Sequence, residues 1–135
     1  SQPTVTRMRQ KLEKKTIKEY TAIPDWSELG YELMAFIFGA LSFHPNETQE
    51  LNRRAKEILA KRPNVIFASN GDGMSKNIMC ISFHKNYTSF ANLVSEMHAD
   101  WGKYCKDIQF FIVSLKGGSL VKPFSFKYLE KVEDF

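Results

Sequence analysis

Leu33-Met34-Ala35-Phe36-Ile37-Phe38-Gly39-Ala40-Leu41 is apolar at every position. The run is too short and too rich in β-prone residues for a helix, and an apolar residue at each step reads as a strand buried on both faces. Ile108 to Leu115 (IQFFIVSL) has nearly the same character. Between these two runs Pro45-Asn46-Glu47 starts a helix that carries Leu51, Ala55, Ile58 and Leu59 on one face and ends before Pro63. Val65 to Ser69 reads as a second strand, Asn70-Gly71-Asp72-Gly73 as a turn, and Ile78 to Phe83 as a third strand. Asn86 or Thr88 can cap a second helix, with Phe90, Leu93, Val94, Met97, Trp101 and Tyr104 at spacings of three and four.

The order from Gly30 to Leu115 is therefore βαββαβ. It predicts an α+β fold of the ferredoxin-like kind, a four-stranded antiparallel sheet with two helices on one face. The other face is left bare, yet the runs at 33–41 and 108–115 are apolar on both sides. The bare face therefore needs a cover, and the same face of a second copy supplies one. The expectation is a homodimer joined sheet to sheet, burying about 800 Å² per partner.

Outward from this body, Lys116-Gly117-Gly118-Ser119 reads as a turn, and Val121 to Leu129, alternating Phe124, Phe126 and Tyr128, as a fifth extended piece. On the N-terminal side Trp26 to Gly30 is a linker. Before it Thr16 to Ile23 (TIKEYTAI) is β-branched and alternating, and stops at Pro24-Asp25 as a short extended segment or wing. Ser1 to Lys15 forms a helix, with Ser1 as its N-cap and Pro3 in the first turn. Val5, Met8 and Leu12 make an apolar stripe on it, opposite Thr6, Arg7, Gln10, Lys11 and Lys14. The division expected is residues 1–25 as one module and 26–135 as the other.

Charge follows this division. Residues 1–19 hold six basic and two acidic side chains, a local +4 that equals the net charge of the whole 135-residue chain. A basic helix on a neutral body suggests a polyanion for the helix and a different partner for the body, although a solvated amphipathic helix has the same composition. With 43% hydrophobic residues and 13% aromatic, the chain is not of the disordered class. No apolar run reaches the roughly 20 residues of a bilayer span, so a cytoplasmic protein without a membrane partner is expected.

Catalytic signatures are missing. Cys80 and Cys105 lack metal-ligand spacing, and His44, His84 and His98 stand singly. No Walker loop, nucleophile elbow, HExxH or dinucleotide fingerprint is present, so neither an enzyme nor a metal or other cofactor is expected. An acyl-phosphate hydrolase on this fold would need an arginine cradle, and the body holds only Arg53, Arg54 and Arg62, all on one helix. An RNA-binding sheet would need basic and aromatic residues that Ile78 to Phe83 does not provide.

Pro3-Thr4-Val5-Thr6-Arg7, Leu12-Glu13, Ile17-Lys18-Glu19-Tyr20-Thr21-Ala22-Ile23 and Leu29-Gly30-Tyr31 stand ahead of the βαββαβ unit in an order that resembles the Lrp/AsnC (leucine-responsive, feast/famine) transcription regulators. The likeness spans essentially the whole chain. It implies that residues 1–25 are the recognition helix and wing of a winged helix-turn-helix whose first two helices are absent, so the sequence reads as a fragment of a longer regulator. It further implies double-stranded DNA as a partner, with Ser1, Gln2, Thr4, Thr6, Arg7, Gln10 and Lys11 towards bases or phosphates. The βαββαβ part would then be the effector-binding and assembly domain, forming dimers and beyond them tetramers or octamers. Gly71, Asp72, Gly73, Met74 and Asn77 would hold a small effector of the amino-acid class. Two departures stand out: Lys14-Lys15-Thr16 replaces a glycine-bearing turn, and Asn77 stands where many relatives carry an acid. A stand-alone small-molecule-binding module that never touches DNA is the alternative.

Overall fold

The computed structural model describes residues 2–42 and 44–131. Its elements run α1 Gln2–Lys15, β1 Leu33–Leu41, α2 Thr48–Ala60, β2 Val65–Gly73, β3 Lys76–His84, α3 Tyr87–Trp101 and β4 Cys105–Ser114, with short 3-10 turns at Pro45–Glu47 and Lys127–Lys131. The chain divides into two compact units, residues 25–123 and residues 1–24 with 124–135.

The larger unit is the ferredoxin-like βαββαβ arrangement. Its four strands are antiparallel in the order β2-β3-β1-β4. β1 is central and pairs on both sides, which is why a strand without polar residues is tolerated there. Pairing sets Ala35 opposite Ser82 and Ile112, and Ile37 opposite Cys80 and Phe110. Ala35, Ile37, Cys80, Phe90 and Leu93 are buried together, so this side of the sheet carries the core beneath α3. Asn86 caps α3, its side-chain oxygen accepting from the Ser89 N–H at 2.9 Å. Arg62, just past α2, ties the helices together through ion pairs with Glu96 and Asp100 on α3.

The alternate residues face away from the helices. Met34, Phe36 and Phe38 of β1, Ile81 of β3 and Phe111 of β4 share that open side. Phe111 is 66% exposed and Phe36 and Phe38 are half-buried. One end alone is covered: Trp26 stacks on Phe83 with ring centroids 4.2 Å apart, and Tyr31 meets the same ring edge-on.

Three sequence expectations change. Thr16–Ile23 forms no strand; the Thr16 and Ile17 N–H groups on the Leu12 carbonyl and Tyr20 on Glu13 tie it to the helix. A β-branched run without a partner strand has no ladder to hold it extended. Val121–Leu129 likewise forms no strand. Gly117 and Gly118 take positive φ, Pro123 has no N–H to offer a ladder, and the segment ends in the 3-10 turn with Phe124 and Phe126 packed edge to face at 5.2 Å. Finally, Asn70-Gly71-Asp72-Gly73 is the end of β2 rather than a turn, because the reversal falls on Met74 and Ser75. The expected N-cap, Ser1, lies outside the described residues.

Candidate functional site

The β2–β3 hairpin brings four of the five expected effector residues to one exposed tip. Gly73 pairs with Lys76 and closes a two-residue loop, Met74-Ser75, whose φ values of 54° and 59° are both left-handed. This is the backbone of a type I′ turn, which matches strand twist and ordinarily uses Asn-Gly. Gly71, Asp72, Gly73 and Met74 are all exposed, and a Cβ built on Gly71 would meet nothing within 4 Å. Backbone groups at the tip are therefore open to a ligand.

Asn77 points elsewhere. Its Oδ1 accepts from the Leu41 N–H and its Nδ2 donates to the Leu41 carbonyl, both at 2.8 Å. The amide thus extends the β1–β3 ladder by side chain at the end of β1. Its neighbour Lys76, which the sequence did not single out, is 8% exposed, with Nζ 2.9 Å from Asp107 Oδ2 and 3.4 Å from the Met74 carbonyl. Lys76 therefore fastens the turn to the start of β4. A buried lysine beside its carboxylate leaves no trace in sequence spacing.

In the other unit, α1 displays Gln2, Thr4, Arg7, Gln10 and Lys11 to solvent, with Thr6 half-buried. No residue of the helix is buried, and Val5, Met8 and Leu12 are exposed as well. Arg9 pairs with Glu13 at 3.9 Å, and the Tyr20 hydroxyl donates to Glu13 at 2.7 Å, a bond that raises the tyrosine pKa. Glu13, though exposed, is thus engaged within its own unit, which leaves Arg7 and Lys11 as a cationic face.

Two further features of the larger unit escaped the sequence. His84 is 1% exposed; Nε2 lies 2.7 Å from Ser82 Oγ and Nδ1 2.9 Å from Ser89 Oγ, and burial lowers its pKa. A cavity of about 290 Å³ also lies between the helices and the sheet. Leu51, Ala55 and Leu59 of α2 form one wall, Met97 and Trp101 of α3 another, and Ile37, Cys80 and Ile108 the floor. Asn52 and Asn70 stand at its edge, and its rim reaches the hairpin at Gly71 and Asn77. Burial pushes the Cys80 thiol up to about 11, so it serves here as an apolar surface. Among the described residues no group of three His, Cys, Asp or Glu could hold a metal, and no helix is long and apolar enough to cross a membrane.

No protein-family model matches the sequence, and no curated protein matches it. Solved structures do. An AsnC family transcriptional regulator from Agrobacterium tumefaciens superposes with a TM-score of 0.68 at 14% identity, over 94% of this chain and 78% of its own. LrpC of B. subtilis gives 0.67 at 17%, over 94% and 78%. The transcriptional regulator NMB0573 of Neisseria meningitidis, solved as a complex with L-Met, gives 0.65 at 17%, over 82% and 68%. At these identities the likeness establishes architecture, and the chain shares the fold of AsnC- and LrpC-type transcriptional regulators.

Proposed function

We propose that this protein is a ligand-responsive transcription regulator: the βαββαβ unit dimerises through its open sheet and senses a small effector, an amino acid, at the β2–β3 hairpin, while the basic helix addresses DNA. The observation that carries this reading is the pairing of two unsatisfied surfaces in one chain, an aromatic sheet face on the larger unit and a cationic helix face on the smaller. The regulator solved with L-Met supports an amino acid as the effector class. The open tip offers backbone N–H groups for its carboxylate and Asp72 for its ammonium.

A second reading, an effector-binding module that leaves DNA alone, is favoured by the exposure of Val5, Met8 and Leu12, because a helix without a packed bed is poorly preorganised. One titration separates the two. Binding to duplex DNA should weaken with salt, and Arg7→Ala and Lys11→Ala should each lower the slope of log K against log salt by about 0.9. Slopes unchanged in both variants would remove the DNA assignment. Calorimetry against the common amino acids tests the sensor independently, and no heat from any of them would remove that part.

A further inference from the structure

We propose that the cavity between α2 and the sheet is a second ligand site, built for a small, neutral, mostly apolar molecule of one or two rings with a single polar group. It is distinct in chemistry from the hairpin tip and does not depend on the effector reading.

Size is the first argument. An apolar cavity of about 150 Å³ in a protein core accommodates benzene. A volume of about 290 Å³ therefore suits a ligand of about twice that size. The walls are aliphatic side chains, a thioether and the indole of Trp101, a surface that gains from excluding water.

Polarity is the second. Asn52 and Asn70 stand at the cavity edge, both exposed to solvent, while the third amide of the lining, Asn77, is engaged by the Leu41 backbone. Two amides at the mouth of an apolar chamber supply a donor and an acceptor for one hydroxyl, ring N–H or carbonyl.

Charge is the third. No Lys, Arg or His lines the cavity, and the Arg54 guanidinium, 5.9 Å from the centroid of the Trp101 ring, is not part of the lining. A carboxylate would be desolvated there without a counter-ion, as would the zwitterion of a free amino acid. The site thus selects uncharged molecules.

The test uses the full chain labelled with 13C at its methionine methyls, titrated with 1-naphthol and with its charged counterpart 1-naphthoate. Met97 reports the cavity and Met34 the open sheet face. The expected result is a saturable shift of the Met97 methyl by 1-naphthol, with Met34 unmoved, and at least about tenfold weaker binding of 1-naphthoate. Ala55→Phe, which fills the chamber from α2, and Ala68→Leu, which fills it from β2, should each abolish the shift while thermal unfolding remains cooperative. If one variant fails to fold, the other carries the comparison. An unmoved Met97 methyl, a shift confined to Met34, equal binding of the two naphthalenes, or full binding by a folded filled variant would each overturn the proposal.

Discussion

The hairpin tip offers a stability change that can be worked from two torsion angles. Met74 and Ser75 sit at φ 54° and 59°, where the Cβ of an L-residue crowds the following carbonyl at a cost of about 1 kcal/mol or more each. The Met74 side chain is 70% exposed, so replacing it forfeits little apolar burial. Met74→Asn with Ser75→Gly installs the pair that a type I′ turn prefers, relieving both penalties. The glycine's extra freedom in the unfolded chain returns about 0.5–1 kcal/mol. The net gain is on the order of 1 kcal/mol, which for a chain of this length raises Tm by about 3–5 °C. Calorimetric melting of the wild type and the double variant measures it. Ser75→Val supplies the opposite arm: a β-branched residue forced left-handed should lower stability by about 1–2 kcal/mol. A double variant melting no higher than wild type, together with a harmless Ser75→Val, would show that the turn is not left-handed and that the hairpin tip is built differently.

Three other outcomes follow from the packing. His84 is buried with its pKa lowered by desolvation. It therefore stays neutral in the folded state while the unfolded chain takes up a proton below about pH 6.5. Its contribution is complete above that pH and is lost as pH falls towards the folded pKa, by up to about 1.4 kcal/mol per pH unit. Urea unfolding between pH 7.5 and 5.5 should show this loss and His84→Gln should flatten it; identical slopes would refute the assignment. Asn77→Asp replaces the donor facing the Leu41 carbonyl by an acceptor and should cost about 1 kcal/mol, the lower end of the range because the site is exposed; an unchanged urea midpoint would show that the amide bond is idle. Phe111→Lys on the open sheet face should convert a dimer to monomer in sedimentation velocity at micromolar concentration, and a monomeric wild type would remove the proposed interface.

The elements that packing dictates were readable in the sequence. β1 matches the apolar run at Leu33–Leu41 because a two-faced strand needs no partner-specific information, and α3 matches the spacing of Phe90, Leu93 and Met97 behind its Asn86 cap. Turn chemistry was misleading. Asn70 to Gly73 has the residues of a turn, yet the reversal falls three residues later on Met74-Ser75, because the pairing of β2 with β3 fixes the register and the turn accepts what remains. A bulge at Ile66 adds to this: Val65 opposes Ser82 and Phe67 opposes Ile81, which turns Ala68 towards the helices. Asn77 illustrates the limit differently. Its residue type suits a ligand contact, but whether an amide meets a ligand or a neighbouring strand depends on where β1 ends, and that is a tertiary fact. The cavity has no sequence signature at all, since it is the volume left where α2 does not settle fully onto the sheet.

The open face also constrains how the proposed dimer closes. Phe36, Phe38, Ile81 and Phe111 lie on the two central strands and one edge strand of a four-stranded sheet, so the apolar patch runs from the middle of the face to the β4 edge. A cover that docked head to tail would match this patch to a different surface on the next copy and leave the next copy's own sheet exposed, and such a contact propagates unless its rotation closes a ring. A twofold pairing matches the patch to itself and satisfies both copies at once. Trp26 and Tyr31 already occupy one end by stacking on Phe83, which blocks a partner from sliding along the strands in that direction. In such a dimer the aromatic stack would act as a stop for register as well as a cover. Trp26→Ala should accordingly loosen the specificity of the pairing more than it weakens the core beneath α3, which lies on the opposite side of the sheet.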